Sequence, residues 1–129
     1  MRFLMMLSTQ MKFIFQKILM RFLKPAEVVF AEDKVEKEFI GLEECDEIKK
    51  FIKRAIEDIK QNAFCGIPVP KKLFPKEYVQ KYQVNNLWKY DLPDGWRLVY
   101  TLKTPNKVQI LAVILEWFGH KGYERRFHY

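Results

Sequence analysis

The feature that most constrains this fold lies in the last third of the chain, where two alternating runs flank a tight turn. Residues 86–92 and 96–103 each alternate apolar and polar side chains, and Pro93-Asp94-Gly95 separates them. A period of two is typical of a half-buried strand, and this turn composition favours a reversal of the chain. Together they predict a β-hairpin.

A third strand is expected after this hairpin. Thr104-Pro105-Asn106 favours a second turn, and residues 108–115 are apolar at nearly every position. Such a run is typical of a central strand that is covered on both faces. Trp88 and Trp96 fall on the apolar sides of their strands, so we expect both in the core.

The preceding part of the chain predicts one strand and two helices. Residues 27–31 suit a short strand, and the charged segment 32–42 suits a short helix. Asp46 is a good N-cap for a second helix and Gly66 follows its end. Its apolar face is formed by Ile48, Phe51, Ile52, Ala55, Ile56 and Ile59. We therefore predict an α+β fold with two N-terminal helices on one side of a mostly antiparallel sheet of four to five strands.

Two proline-containing segments link the helices to the hairpin. Residues 67–70 alternate with prolines and are expected to be extended, while Pro75 can open a short helix that includes Tyr78. We expect this helix to be a surface insertion. Cys45 and Cys65 have no metal-ligand spacing, so we interpret them as reduced core thiols of a cytoplasmic protein.

The 129 residues suit one domain, which we assign to residues 25–129, and an N-terminal extension, residues 1–24. The extension carries five basic and no acidic side chains, with apolar residues at helical spacing. It predicts a basic amphipathic helix that could lie on a membrane surface or a partner, too interrupted by charge to span a bilayer. Because Met-Arg-Phe-Leu occurs at residues 1–4 and again at 20–23, a translation start at Met20 or Met11 is the alternative.

Charge is distributed unevenly along the domain. Residues 25–65 carry seven basic against eleven acidic side chains, whereas residues 66–129 carry eleven basic against five acidic. A basic surface attracts a polyanion through counterion release, so nucleic acid or the ribosome is the expected partner of the C-terminal half. The alternative is a basic face that serves only solubility.

The end of the chain collects groups that suit the cleavage of RNA. Both histidines lie there beside aromatic and cationic residues: His120, Tyr123, Arg125, Arg126, His128 and Tyr129. Metal-free RNA cleavage requires groups that exchange a proton near neutral pH next to groups that hold a phosphate. No acidic cluster suited to metal ions stands out in the basic half, and we expect neither a metal nor another cofactor.

Four short motifs occur in a recognisable order: Gly66-Ile67-Pro68, then Lys71-Lys72-Leu73, then Trp96-Arg97-Leu98-Val99-Tyr100, then His120-Lys121-Gly122-Tyr123. In this order, residues 27–129 resemble the RelE/ParE toxin superfamily, and its archaeal RelE-type members in particular. Residues 1–24 and 74–84 fall outside the usual pattern. The resemblance implies the toxin of a type II toxin–antitoxin pair, an endoribonuclease that cuts mRNA, often on the ribosome. The ribose 2′-hydroxyl would attack the adjacent phosphate.

The resemblance also implies catalytic roles. Arg97 matches the family's arginine after the hairpin turn, and alternation places it opposite Leu98 and Tyr100, where its fork could hold phosphate. Tyr123 matches a tyrosine used in proton transfer or against the base, and His120 a histidine suited to acid–base work. The alternatives are a solvated arginine, a packed aromatic ring and a surface histidine.

Further residues are expected to position RNA rather than perform chemistry. Lys72 follows the Gly-Pro segment, and Lys89 falls where many relatives have an arginine. Arg125 and Arg126 extend the basic tail, and His128 with Tyr129 resembles the terminus of YoeB-type members, several residues displaced. Lys72 and Lys89 could instead serve only solubility.

The resemblance implies a cognate antitoxin that covers the basic groove with an acidic or amphipathic segment. RNA, with no direct readout of DNA sequence, is the expected nucleic acid, and a membrane only if residues 1–24 form a surface helix. Two alternatives remain open. One is a non-catalytic ParE-like toxin that binds DNA gyrase, and the other is a RelE-fold binding module without nuclease activity.

Overall fold

The computed structural model describes residues 8–12, 14 and 24–128. Most of the predicted N-terminal helix and Tyr129 therefore lie outside the described residues. The strands are β1 (Glu27–Phe30), β2 (Ile67–Pro68), β3 (Trp88–Asp91), β4 (Arg97–Lys103) and β5 (Leu111–Phe118). Within residues 24–128 the α-helices are α1 (Asp33–Gly41), α2 (Glu47–Gln61), α3 (Lys76–Tyr82) and α4 (His120–Phe127).

The five strands form one mixed sheet in the order β1-β5-β4-β3-β2. Every neighbouring pair is antiparallel except β1 and β5, which run parallel. The α+β class, the hairpin of β3 and β4 and the central place of β5 are thus confirmed. The predicted order of one strand followed by two helices is also found, so α1 and α2 precede the other four strands but follow β1.

The loop between β4 and β5 is longer than predicted. The Asn106 side-chain oxygen accepts hydrogen bonds from the backbone N–H groups of Val108 (3.0 Å) and Gln109 (2.9 Å). This local turn satisfies backbone groups that would otherwise join the sheet. Val108 is consequently 94% exposed, and β5 begins at Leu111.

One face of the sheet is covered by α1 and α2. Asp46 caps α2 as predicted, because its carboxylate accepts the N–H of Ile48 at 2.9 Å. The helix buries Ile52, Ala55 and Ile59 against the face of β4 and β5 that carries Leu98, Tyr100, Ala112 and Ile114. We call this group the α2 core. Trp88, Trp96 and Trp117 pack at its edge.

The opposite face is also covered, which corrects the prediction of helices on one side only. Tyr78 of α3 and Tyr123 and Phe127 of α4 pack against Val99 and Leu115. We call this group, with Val69, Val84 and Leu87, the α4 core. Tyr78 is buried, so α3 is part of the fold and not a surface insertion.

A β-bulge between β4 and β5 sets which side chains reach the α4 core. Val99 pairs with Glu116 and the next residue, Tyr100, pairs with Ile114, so Leu115 has no partner of its own across the pair. An extra residue shifts the alternation by one position. As a result Phe118 packs on the α4 core, next to the start of α4.

Gly66 was predicted to follow the end of the second helix, but its role in the structure is different. The helix α2 ends at Gln61, and Asn62 is its C-cap. A Cβ at Gly66 would lie 2.7 Å from both the Lys89 carbonyl oxygen and the Tyr100 hydroxyl. Glycine is thus required for a close approach to the sheet. Cys45 and Cys65 are free but exposed, not core thiols as expected.

Candidate functional site

A cleft of about 370 Å³ opens on the α4 side of the sheet. Its apolar wall comes from the extended segment around β2 and the following turn, with Ile67, Pro68 and Leu73. Its polar wall comes from β3, β4 and the first turns of α4: Lys89, Arg97, His120, Tyr123 and Glu124. All three residues predicted to be catalytic therefore line one cleft, together with Lys89.

Strand alternation explains why the cations reach this cleft. On β4, Leu98 and Tyr100 belong to the α2 core, so Arg97 points to the other face, as predicted. On β3, Asp91 is directly opposite Arg97 and Lys89 is opposite Val99. The three charged residues thus share a face of the hairpin.

The Arg97 guanidinium is held from several sides. Its Nη1 donates to the Gly95 carbonyl at 2.9 Å, and its carbon lies 4.5 Å from the centre of the Tyr123 ring. Its Nε is 3.6 Å from a carboxylate oxygen of Asp91, beyond hydrogen-bond distance. Within the described residues this buried Nε–H has no hydrogen-bond acceptor. Because this Nε–H is buried beside Asp91, an oxyanion in the cleft would be bound by the Nη groups of the guanidinium.

Tyr123 forms the floor beneath both cations. Its ring stacks on Phe127 with 4.5 Å between centres, and the Lys89 Nζ lies 5.8 Å from its centre. The residue is only 5% exposed. The aromatic face attracts the two cations and so fixes where they meet a ligand.

His120 opens α4 and stands at the mouth of the cleft. Its Nε2 is 2.7 Å from a carboxylate oxygen of Glu124, one helical turn further on, and its Nδ1 is 3.5 Å from the Arg97 Nη1. Gly95, at φ 78° in the hairpin turn, lies close to the His120 Cβ, so a side chain there would meet the histidine. The imidazole is thus placed between an anion and a cation.

Two charged residues that contact the predicted catalytic groups were not identified from the sequence. Glu124 is four residues after His120, which is contact spacing only in a helix, and α4 is not among the predicted elements. Asp91 was recognised as a strand residue, but its pairing with Arg97 depends on the register of the hairpin. The i, i+4 spacing is the signal that could have identified Glu124.

The remaining predicted residues lie elsewhere. Lys72 and His128 border a separate hollow with Pro75 and Phe127, and Arg125 is exposed on α4. Arg126 lies beside Glu116 at 3.0 Å and Glu77 at 3.8 Å, on the far side of α4. The structure therefore does not bring these four residues into the cleft.

Comparison with protein-family models, characterised proteins and solved structures finds no match to this chain. Among the helices of the described residues, none combines the length and apolar character needed to cross a membrane. In the same part of the chain, no three His, Cys, Asp or Glu side chains group as metal ligands would.

Proposed function

We propose that this protein is the toxin of a type II toxin–antitoxin pair and cleaves mRNA as a metal-independent endoribonuclease. The observation that carries the proposal is the meeting of Arg97 and Lys89 over the Tyr123 ring, with His120 lining the same cleft. A phosphate-binding guanidinium beside an imidazole is the minimum that cleavage by the 2′-hydroxyl requires. The RelE-like resemblance of residues 27–129 points to the same chemistry.

Arg97 holds the scissile phosphate in this proposal. Its Nη groups belong to a planar, charged fork that can donate to phosphate oxygens, and Lys89 adds a second positive charge to the same cleft. These charges stabilise the phosphorane, whose negative charge exceeds that of the bound phosphate.

The reaction then needs only proton transfers. The 2′-oxygen bonds to phosphorus, its proton passes to solvent, and the bond from phosphorus to the 5′-oxygen breaks. His120 gives its proton to that departing oxygen, and the products are a 2′,3′-cyclic phosphate and a 5′-hydroxyl. The ring of Tyr123 keeps both cations in place, and the apolar wall at Ile67 and Pro68 offers a surface for the adjacent base.

The proposed partners follow from the charge of this surface. An acidic or amphipathic antitoxin segment would neutralise the cleft, and the basic C-terminal half would meet RNA on the ribosome or free in the cytoplasm. We assign no direct contact with DNA bases.

The test is expression of wild type beside three variants, with primer-extension mapping of mRNA ends. Arg97→Ala is expected to lower cleavage by about 10²–10³-fold, because it removes the donors aimed at the phosphate. Arg125→Ala, which changes an exposed arginine outside the cleft, is the matched control and should cleave normally. Tyr123→Phe keeps the ring, so lost cleavage in this variant would assign the hydroxyl to proton transfer.

Purified wild type should also cleave RNA with EDTA present. New mRNA ends shared equally by wild type and Arg97→Ala would overturn the assignment of the cleft. Growth arrest without any new RNA ends would replace it with a toxin that acts by binding, as a gyrase-directed ParE-like protein does.

A further inference from the structure

His120 stands between opposite charges, and its two ring nitrogens have different partners. The Nε2 atom is 2.7 Å from the Glu124 carboxylate, and the Nδ1 atom is 3.5 Å from the Arg97 Nη1. A carboxylate only accepts a hydrogen bond and a guanidinium only donates one. The contacts therefore fit one neutral form of the ring, with the proton on Nε2 and the lone pair on Nδ1.

Glu124 is the group that selects this form. Because it accepts from Nε2, the second nitrogen is left to face the cleft, which is how an outer carboxylate commonly orients a histidine. The pair spans one turn of α4, and both side chains are substantially exposed at 62% and 45%. Glu124 is thus a positioning residue that acts through His120.

A second proton on the ring would meet Arg97. The imidazolium would carry Nδ1–H toward a guanidinium that can only donate, so two like charges would face each other at contact distance. Glu124 opposes this effect from the other side. The remaining charges near the pair come from β3: Lys89, which lines the same cleft, and Asp91, which lies beside Arg97.

We propose that an oxyanion bound at Arg97 is what loads the proton onto His120, with Glu124 holding the ring so that the loaded Nδ1–H points into the cleft. A phosphate oxygen placed there neutralises the guanidinium and accepts from Nδ1–H, so it removes the repulsion and adds a partner. This inference rests on the proposed function in one respect, that Arg97 binds phosphate.

The consequence is an acid that becomes active only with substrate in place. The free protein keeps Nδ1 as an acceptor, and the phosphate of the RNA converts it into the donor that the departing 5′-oxygen needs. The proton comes from solvent when phosphate binds and leaves with the 5′-hydroxyl product, so the ring returns to its starting form.

The test is an NMR titration of the histidine ring protons of the full chain, which contains only His120 and His128. The His128→Gln variant assigns the two signals. Inorganic phosphate is expected to raise the midpoint of the His120 titration by roughly half a pH unit or more compared with chloride at equal ionic strength. His128, outside the cleft, should not respond.

Two variants separate the effects of Arg97 and Glu124 on the His120 titration. Arg97→Gln should raise the His120 midpoint without phosphate and abolish its response to phosphate, whereas Glu124→Gln should lower the midpoint with or without phosphate. Lys121→Gln, on an exposed neighbour of the same helix, is the control for a general charge effect. The wild-type titration alone decides the matter if a variant does not fold.

The outcomes distinguish this inference from the nuclease proposal. A His120 midpoint that ignores phosphate, or equal shifts of His120 and His128, would overturn proton loading even in an active nuclease. A phosphate-dependent shift confined to His120 in a protein that cuts no RNA would sustain the coupling and reject the nuclease.

Discussion

The two faces of the sheet are built from similar apolar surfaces but treat their charges differently. On the α2 face, Lys49 is buried and its ammonium is bound by the Leu42 carbonyl (2.9 Å) and by Glu44 (2.7 Å). On the α4 face, Arg97 and Lys89 are held over an aromatic ring at the mouth of a cleft. Lys49 is thus enclosed by its acceptors, whereas Arg97 and Lys89 line a cleft.

This difference separates stability from ligand binding. The α2 core packs Ile52, Ala55 and Ile59 without exposure, so it contributes mainly through apolar burial. On the α4 side, Arg97 and Lys89 share the single carboxylate of Asp91, at 3.6 and 3.5 Å, so positive charge is in excess beside the cleft. This excess suits the cleft to an anionic ligand.

The largest expected effect is on the α2 core. Ile52→Ala removes three carbons from a fully buried position between helix and sheet, so it should lower the free energy of unfolding by about 2–5 kcal/mol. Urea denaturation measures this loss. Ile40→Ala, at a 63% exposed isoleucine of α1, is the control and should change stability little.

The comparison predicts that this loss leaves the cleft intact. At a temperature where Ile52→Ala is still folded, its phosphate-dependent titration of His120 should match wild type. Loss of the phosphate-dependent His120 titration in folded Ile52→Ala would show that the α2 core and the cleft are not independent.

Much of this architecture follows from local patterns, and the rest depends on contacts between distant residues. Alternation predicts the hairpin and the orientation of Arg97, because both depend on neighbours in sequence. The bulge at Leu115 is different, since it exists only in the pairing of β4 with β5. The sequence analysis therefore could not predict that Phe118 would face α4.

The helix α4 was missed for a related reason. Residues 120–127 contain Gly122 and few apolar side chains, so helical periodicity is weak, and the helix is stabilised by Tyr123 and Phe127 in the α4 core. The composition of the chain end already indicated His120 and Tyr123, the RelE-like resemblance gave all three catalytic roles, and alternation gave the face of Arg97. The contact of Glu124 with His120 could not be predicted without the helix α4, because the two residues are four apart in sequence.

The next largest effect is expected where α4 turns back on β5. A Cβ at Gly122 would lie 2.9 Å from the Phe118 Cβ, so Gly122→Ala must move the helix away from the strand. We expect a loss of about 1–2 kcal/mol in unfolding free energy, after the higher helix propensity of alanine is included. Urea denaturation measures it.

The same substitution should disturb the cleft, because His120 and Tyr123 move with α4. RNA cleavage and the phosphate response of His120 should both fall. Gly41→Ala, where a Cβ meets nothing within 4 Å, serves as the control and should keep both. Unchanged cleavage in Gly122→Ala would mean that the position of α4 is not critical.

A smaller effect separates the two neighbouring arginines of α4. Arg126→Met removes the partner of Glu116 and of Glu77, so it should lower the free energy of unfolding by about 1 kcal/mol and leave cleavage unchanged. Arg125→Met, at an exposed position, should change neither the free energy of unfolding nor cleavage. Denaturation and primer extension on both variants are the measurements, and a cleavage defect confined to Arg126→Met would extend the functional surface to the far side of α4.

The smallest expected effect concerns how the α2 face pairs its charges. Hydrogen bonds from Lys49 and Lys53 lower the pKa of Glu44 to about 2, from its usual value near 4.5. A depressed folded-state pKa contributes stability that is present above pH 4.5 and lost as the pH falls toward 2, because only the unfolded state takes up the proton early. Wild type should therefore exceed Glu44→Gln in stability at pH 6, and the difference should shrink between pH 4.5 and pH 2.

Urea denaturation midpoints across this pH range measure the difference. Glu36→Gln, at an exposed position of α1, is the control. A constant stability difference down to pH 2 would mean that Lys49 and Lys53 do not stabilise the ionised form of the Glu44 carboxylate.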